Sequence, residues 1–241
     1  MKLVRSLLVG SFFLLLLISP NPSTASSEVP EEQSPVQPVL ANAPEGPSAL
    51  ITWFTHDADT TSGRGRHNDI AVDTNGYPHI SYIDEGTADL MYAYQDPGGW
   101  HRWILDGHNP TETIGWGTAL VLDGENDPHI LYFGSSDVRY MFKSGGGCYK
   151  EVVEPTLIAD GGDIFLGSDG TVYASYHEAL TDLLIYSERD KNTGSWSSVL
   201  VDDVKSPGHN TSLVVKDNGD RAISYSRYED PALLIAESSD G

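Results

Sequence analysis

Four short segments concentrate side chains able to act on or hold a polar ligand: DEGTAD (84–89), GSSD (134–137), HEALTD (177–182) and SRYED (226–230). Cleaving a glycosidic bond takes two carboxyl groups about 5–10 Å apart. Asp84, Glu178, Glu229 and Asp230 are carboxylates that such segments could bring together. Holding a ligand carboxylate instead calls for converging arginines, and Arg64, Arg66 and Arg227 are available. Intervening segments add His67, His108, Trp116, His209 and Asn210. Trp116 stands between Gly115 and Gly117, where a loop is expected, and an indole there could stack on a sugar ring. The candidate ligand contacts are Trp116, His67, Arg66, His177, Glu178, Arg227, Tyr228 and Glu229. Tyr228 and Glu229 are adjacent, and neighbours on an extended chain point apart, which weakens them as a catalytic pair.

These residues need a scaffold, and a repeat supplies one. Tyr82, Tyr132, Tyr176 and Tyr225 hold the same place in four copies, at spacings of 50, 44 and 49 residues. Each copy divides into short β-rich segments separated by turn residues, such as NDIAV, PHISYI, DLMYAY and WHRWILD in the first. DTNG (73–76), GSDG (167–170) and DNGD (217–220) carry the residues that tolerate positive φ in tight turns. Repeats of this length, built from strands, predict an all-β fold: a β-propeller of four-stranded antiparallel blades. The repeats run over about 64–106, 115–154, 161–203 and 208–241. In such a ring the four segments named first share one end, the top, with the connections between blades, and rigidly held loops are where binding sites gather.

The last copy stops before an outer strand, and ALITWFTHD (49–57) resembles the missing one. Two readings stay open. Either the N-terminal strand closes a four-bladed ring, or the chain is an arc of a larger ring.

The segments IAVDTNGYPHISYID, DLMYAYQDPGGW and ALVLDGENDPHILYF resemble the repeat of secreted bacterial and archaeal β-propeller proteins related to the sialidase-like and Asp-box superfamilies. The likeness covers residues 49–241 and implies a propeller scaffold that hosts unrelated functions. The Asp-box pattern S-x-D-x-G-x-T-W is absent, since GSDGTVY places Ser168, Asp169 and Gly170 at another spacing. For a sialidase the resemblance implies converging arginines, a Tyr/Glu nucleophile pair and an acidic proton donor.

Residues 1–25 read as a signal peptide: Lys2 and Arg5, an uncharged run over 6–18 too short for the about 20 residues of a spanning helix, then small residues. A Pro/Glu/Ser-rich linker over 26–48 follows, and 49–241 form the propeller domain. The chain is expected to be secreted or displayed at the cell surface, without stable membrane insertion. A net charge of −21 excludes nucleic acid and anionic membranes as natural partners.

Cys148 is the sole cysteine and takes the place that Trp100 and Trp196 hold in their copies, so it reads as a small substitute at a blade edge. His79 and His129 share one repeat position, but Tyr173 and Ala222 follow there, so no ring of ligands forms. No cofactor is expected. Calcium is the one ion the acidic loops would suit, though no D-x-D-x-D-G loop is present.

The repeated tyrosines alternate with apolar and polar residues and read as packing between blades. The leading reading is a non-enzymatic module that binds a glycan or an extracellular protein through its top loops. The alternatives are a sialidase-like glycoside hydrolase and a structural module of a cell-surface assembly.

Overall fold

The computed structural model describes residues 54–107, 114–155, 157–204 and 206–238. The signal peptide, the linker, residues 49–53 and His108 lie outside the described residues.

Fifteen strands form four antiparallel sheets, each a meander in chain order. The first blade is β1 (Arg64–Val72), β2 (Pro78–Asp84), β3 (Asp89–Asp96) and β4 (Gly99–Asp106). The second is β5 (Ile114–Leu122), β6 (Pro128–Gly134), β7 (Asp137–Ser144) and β8 (Gly147–Pro155). The third is β9 (Ala159–Leu166), β10 (Val172–Glu178), β11 (Leu183–Arg189) and β12 (Trp196–Asp202). The fourth has three strands among the described residues: β13 (Pro207–Val215), β14 (Arg221–Arg227) and β15 (Ala232–Ser238). The fold is the expected all-β propeller architecture.

The turn chemistry foreseen in the sequence closes each first hairpin. Asp73 Oδ1 accepts from the backbone N–H of Asn75 at 2.9 Å and of Tyr77 at 2.7 Å. Asp123 does the same for Glu125 and Asp127. Gly76, Asn126, Gly170 and Gly219 take the left-handed conformation at the equivalent place, with φ of 88°, 65°, 87° and 91°.

The blades stack through their inner strands, β1 on β5, β5 on β9 and β9 on β13. The second and third sheets each meet a neighbour on both faces, and the second strands of the first three blades are buried almost throughout instead of alternating. The apolar clusters lie between consecutive blades. Ile83, Leu90 and Tyr92 of the first blade pack with Ile114, Leu120, Ile130 and Tyr132 of the second. Leu131, Phe133 and Tyr140 pack on Ile164, Ala174 and Tyr176 of the third.

Polar crosslinks alternate with these contacts. Asp69 and Asp163 accept the backbone N–H of Leu120 and Leu213 in the next blade, each at 2.7 Å. Ser81 and Ser175 pair with Thr118 and Thr211, again at 2.7 Å. The second blade has Ala119 and Leu131 at those positions, so its junction with the third is apolar instead.

No element of the first blade packs on the fourth to a comparable extent among the described residues. Residues 54–57, the described part of the expected closing strand, lie in no strand. No helix among the described residues is long and apolar enough to cross a membrane.

Candidate functional site

Every inner strand breaks register near its top end. The shifts fall between Arg64 and Asp69 in β1, Ile114 and Thr118 in β5, Ala159 and Gly162 in β9, and Pro207 and Ser212 in β13. Such bulges re-aim side chains and often sit beside functional sites. At one equivalent place in each bulge the residue has positive φ: His67 (49°), Gly117 (153°), Gly161 (73°) and Asn210 (52°). The residue just before it is Arg66, Trp116, Asp160 or His209, so four chemically distinct residues share one register position around the top.

Trp116 therefore lies within strand β5, not in a loop between blades as its flanking glycines implied. Arg66 is exposed and pairs with Glu85 at 3.0 Å. His67 is exposed, and its carbonyl accepts from the Thr118 hydroxyl at 3.1 Å.

His177 is 2% exposed and lies between two half-exposed carboxylates. Its Nδ1 is 2.5 Å from Asp160 Oδ1 and its Nε2 is 3.3 Å from Asp182 Oδ1. Ser206 Oγ donates to the other oxygen of Asp182 at 3.2 Å. Asp160 and Asp182 did not stand out in the sequence as candidates. Asp182 ends the β10–β11 turn with φ of 55°, as Ala88 ends the β2–β3 turn with φ of 57°.

Glu178 is only 5% exposed. Its carboxylate accepts the backbone N–H of Leu180 at 2.9 Å and of Thr181 at 2.7 Å, together with the Thr181 hydroxyl. Burial would raise this carboxyl, but those donors outweigh it and hold it low. Glu178 thus caps its own loop. Tyr228 is 77% exposed and Glu229 is exposed on the β14–β15 loop.

The arginines are engaged in a repeated device between blades. The Tyr132 hydroxyl donates to Asp106 Oδ2 at 2.7 Å, and Arg139 and Lys150 reach the same carboxylate at 3.0 and 2.8 Å. In the fourth blade Tyr225 and Arg227 hold Asp202 at 2.6 and 3.0 Å. In the first, Tyr82 and Arg64 hold Asp59 at 2.7 and 2.9 Å, and Arg64 also reaches Asp84 at 2.6 Å. The third blade replaces the device with Tyr176 bonded to Ser187 at 2.8 Å.

Burial pushes Asp59, Asp106 and Asp202 upward, but the clasping donors outweigh it and hold all three below the usual carboxylate range. Burial and the Asp202 carboxylate push the Tyr225 hydroxyl up to about 12. Arg227 is thereby a member of a clasp. Among the described residues no three His, Cys, Asp or Glu side chains converge to hold a metal ion.

No family model and no curated protein matches the sequence. Solved structures match in fold. A protein of unknown function from Dyadobacter fermentans has a TM-score of 0.53 at 12% identity, over 70% of this chain and 51% of that one. A GH43 β-1,3-galactosidase has a TM-score of 0.51 at 10% identity, over 76% and 46%. An exo-β-1,3-galactanase from Phanerochaete chrysosporium has 0.50 at 11%, over 72% and 48%. The chain spans about half the length of these structures. At these identities the likeness establishes the β-propeller fold and nothing finer.

Proposed function

We propose that this protein is an exported β-propeller module that recognises a glycan through its top face without turning it over. The carrying observation is the bulge repeated in all four inner strands, which sets Arg66, Trp116, Asp160 and His209 at one register position. A planar cation, an indole, a carboxylate and an imidazole are the groups that sugar recognition uses: stacking on the C–H face and hydrogen bonds to hydroxyls. The galactosidase and the galactanase of like fold act on galactosides by name, which supports the choice of a glycan over an extracellular protein as the partner. Export rests on the signal-like residues 1–25.

A sialidase-like reading has little support at this face. Arg64 and Arg227 are held by Asp59, Asp84 and Asp202, and Arg66 by Glu85, so these three do not form an unengaged trio awaiting a ligand carboxylate. A hydrolase reading keeps one favourable observation, the two half-exposed carboxylates flanking His177.

Chromogenic glycosides and galactan-derived oligosaccharides, assayed with the purified protein and with Asp160→Asn and Asp182→Asn, separate the two. The recognition reading expects no turnover by any of them. Turnover by the wild type that collapses in either variant would establish a hydrolase instead.

A further inference from the structure

The first two junctions between blades compare position by position, and the first is open where the second is filled. Between the second and third blades the space is filled. Arg189 forks onto Glu151 with two contacts of 2.7 Å, and its guanidinium lies 5.2 Å from the centre of the Phe142 ring. Trp196 donates to Glu151 at 3.1 Å and meets Tyr140 edge-on.

Strand register places the equivalent residues at the first junction. Cys148 pairs with Lys143 as Trp196 pairs with Arg189, and Trp103 pairs with Tyr92 as Glu151 pairs with Tyr140. The plug of Glu151, Arg189 and Trp196 thus becomes Trp103, Lys143 and Cys148. Lys143 pairs with Asp127 at 2.5 Å, and a thiol replaces an indole. The result is a cleft of about 590 Å³ between the first and second blades, within the size range of ligand sites. Its lining includes residues of the β1–β2 and β5–β6 turns, at the opposite end of the blades from the top-face bulges.

The cleft has an aromatic wall and a rigid polar rim. Trp103 is 55% exposed, and Tyr94 lies in the same cleft, its ring stacked on His101 at 4.8 Å. The rim is braced across the two blades. Asn126 accepts from the Thr74 N–H at 2.9 Å and donates to the Thr74 hydroxyl at 3.0 Å, while Asp73 holds its own turn. Asp73, Asp96, Glu125 and Asp127 line the cleft against a single lysine, Lys143, so it is acidic and repels anionic ligands.

We infer that this cleft is a second, separate site that takes a neutral saccharide, one ring stacked on Trp103 and its hydroxyls bonded to the acidic and amide rim. The inference stands on residues that the top-face reading does not use.

The test is a binding titration of the purified protein against neutral galacto-, gluco-, manno- and xylo-oligosaccharides, with sialylated and uronic-acid glycans alongside. Trp103→Ala removes the platform, and Cys148→Trp restores the plug that the second junction carries. Melting temperatures within a few degrees of wild type establish that both variants are folded. The expected result is binding of at least one neutral series, weakened tenfold or more by each variant, with no binding of the anionic set to the cleft. Neutral binding that survives both variants but is lost in Trp116→Ala would overturn the cleft and leave the top-face reading standing. Binding of anionic glycans only would do the same, and a panel blank throughout would overturn both.

Discussion

The Tyr132 hydroxyl donates to Asp106 across the boundary between the first and second blades, at 2.7 Å, and the same geometry recurs between Tyr225 and Asp202 at 2.6 Å. The repeated tyrosine thus does more than fill space. It ties the second strand of one blade to the last residues of the blade before it, with a cation closing the clasp.

Removing one member of a buried charged network takes a partner from each of the others. Asp106→Asn should destabilise the protein by about 2–4 kcal/mol, because Arg139 and Lys150 lose their shared carboxylate. Tyr132→Phe should cost about 1–2 kcal/mol, the size of a lost hydrogen bond to a charged group. Urea titrations of the two variants and the double variant measure both costs, and the double should fall short of their sum.

The same carboxylates set an acid limb. Asp59, Asp106 and Asp202 have folded values below the unfolded value of about 3.9. Their contribution is therefore complete above about pH 4 and is lost as pH falls through the folded values. Acidification also relieves repulsion in a chain of net charge −21, so the wild-type curve mixes two effects. The difference between wild type and Asp106→Asn isolates the clasp. That difference in melting temperature should shrink steadily from pH 5 to pH 2.

A second pH effect lies nearer neutrality. His79 and His129 each bond a tyrosine hydroxyl, of Tyr92 and Tyr140, and burial pushes both imidazoles below their ordinary value. The folded state then disfavours protonation, so the stability held above about pH 6.5 declines as pH falls toward the lowered folded values. The third blade has Tyr173 at this position, which makes His79→Tyr with His129→Tyr a natural substitution. The double variant should show a flatter melting-temperature profile between pH 7 and pH 5 than the wild type.

Glu178 separates scaffold from site. Because its carboxylate caps the N–H groups of Leu180 and Thr181, Glu178→Gln should cost about 1–2 kcal/mol in stability and leave glycan affinity within a factor of two. Paired denaturation and binding titrations check this. A large affinity loss without a stability loss would mark Glu178 as a ligand contact.

Much of the scaffold was legible in the sequence because repeats report on it four times over. The spacing of Tyr82, Tyr132, Tyr176 and Tyr225 and the turns at 73–76, 167–170 and 217–220 marked strands and hairpins, and the register bears out the matching places of Trp100, Cys148 and Trp196. The clasps were hidden for the opposite reason. Their cations arrive from β1, β7 and β14 at different offsets from the tyrosine, so no period betrays them.

The bulges were hidden too. Gly115 and Gly117 read as loop punctuation, yet Gly117 is required inside a strand, where a Cβ would meet the Phe133 ring at 3.2 Å. Gly162 answers to a similar constraint, with the Ser175 carbonyl 2.6 Å from where its Cβ would stand. Asp160 and Asp182 escaped notice because only the fold brings them to opposite sides of His177.

The most direct test of the central claim is a glycan array probed with the purified protein and with Trp116→Ala and Arg66→Ala, each confirmed as folded by its melting temperature. The account predicts selective binding by the wild type that falls at least tenfold in Trp116→Ala and measurably in Arg66→Ala. A well-folded wild type that binds no glycan, or one whose binding is indifferent to both substitutions, would contradict recognition through the top face.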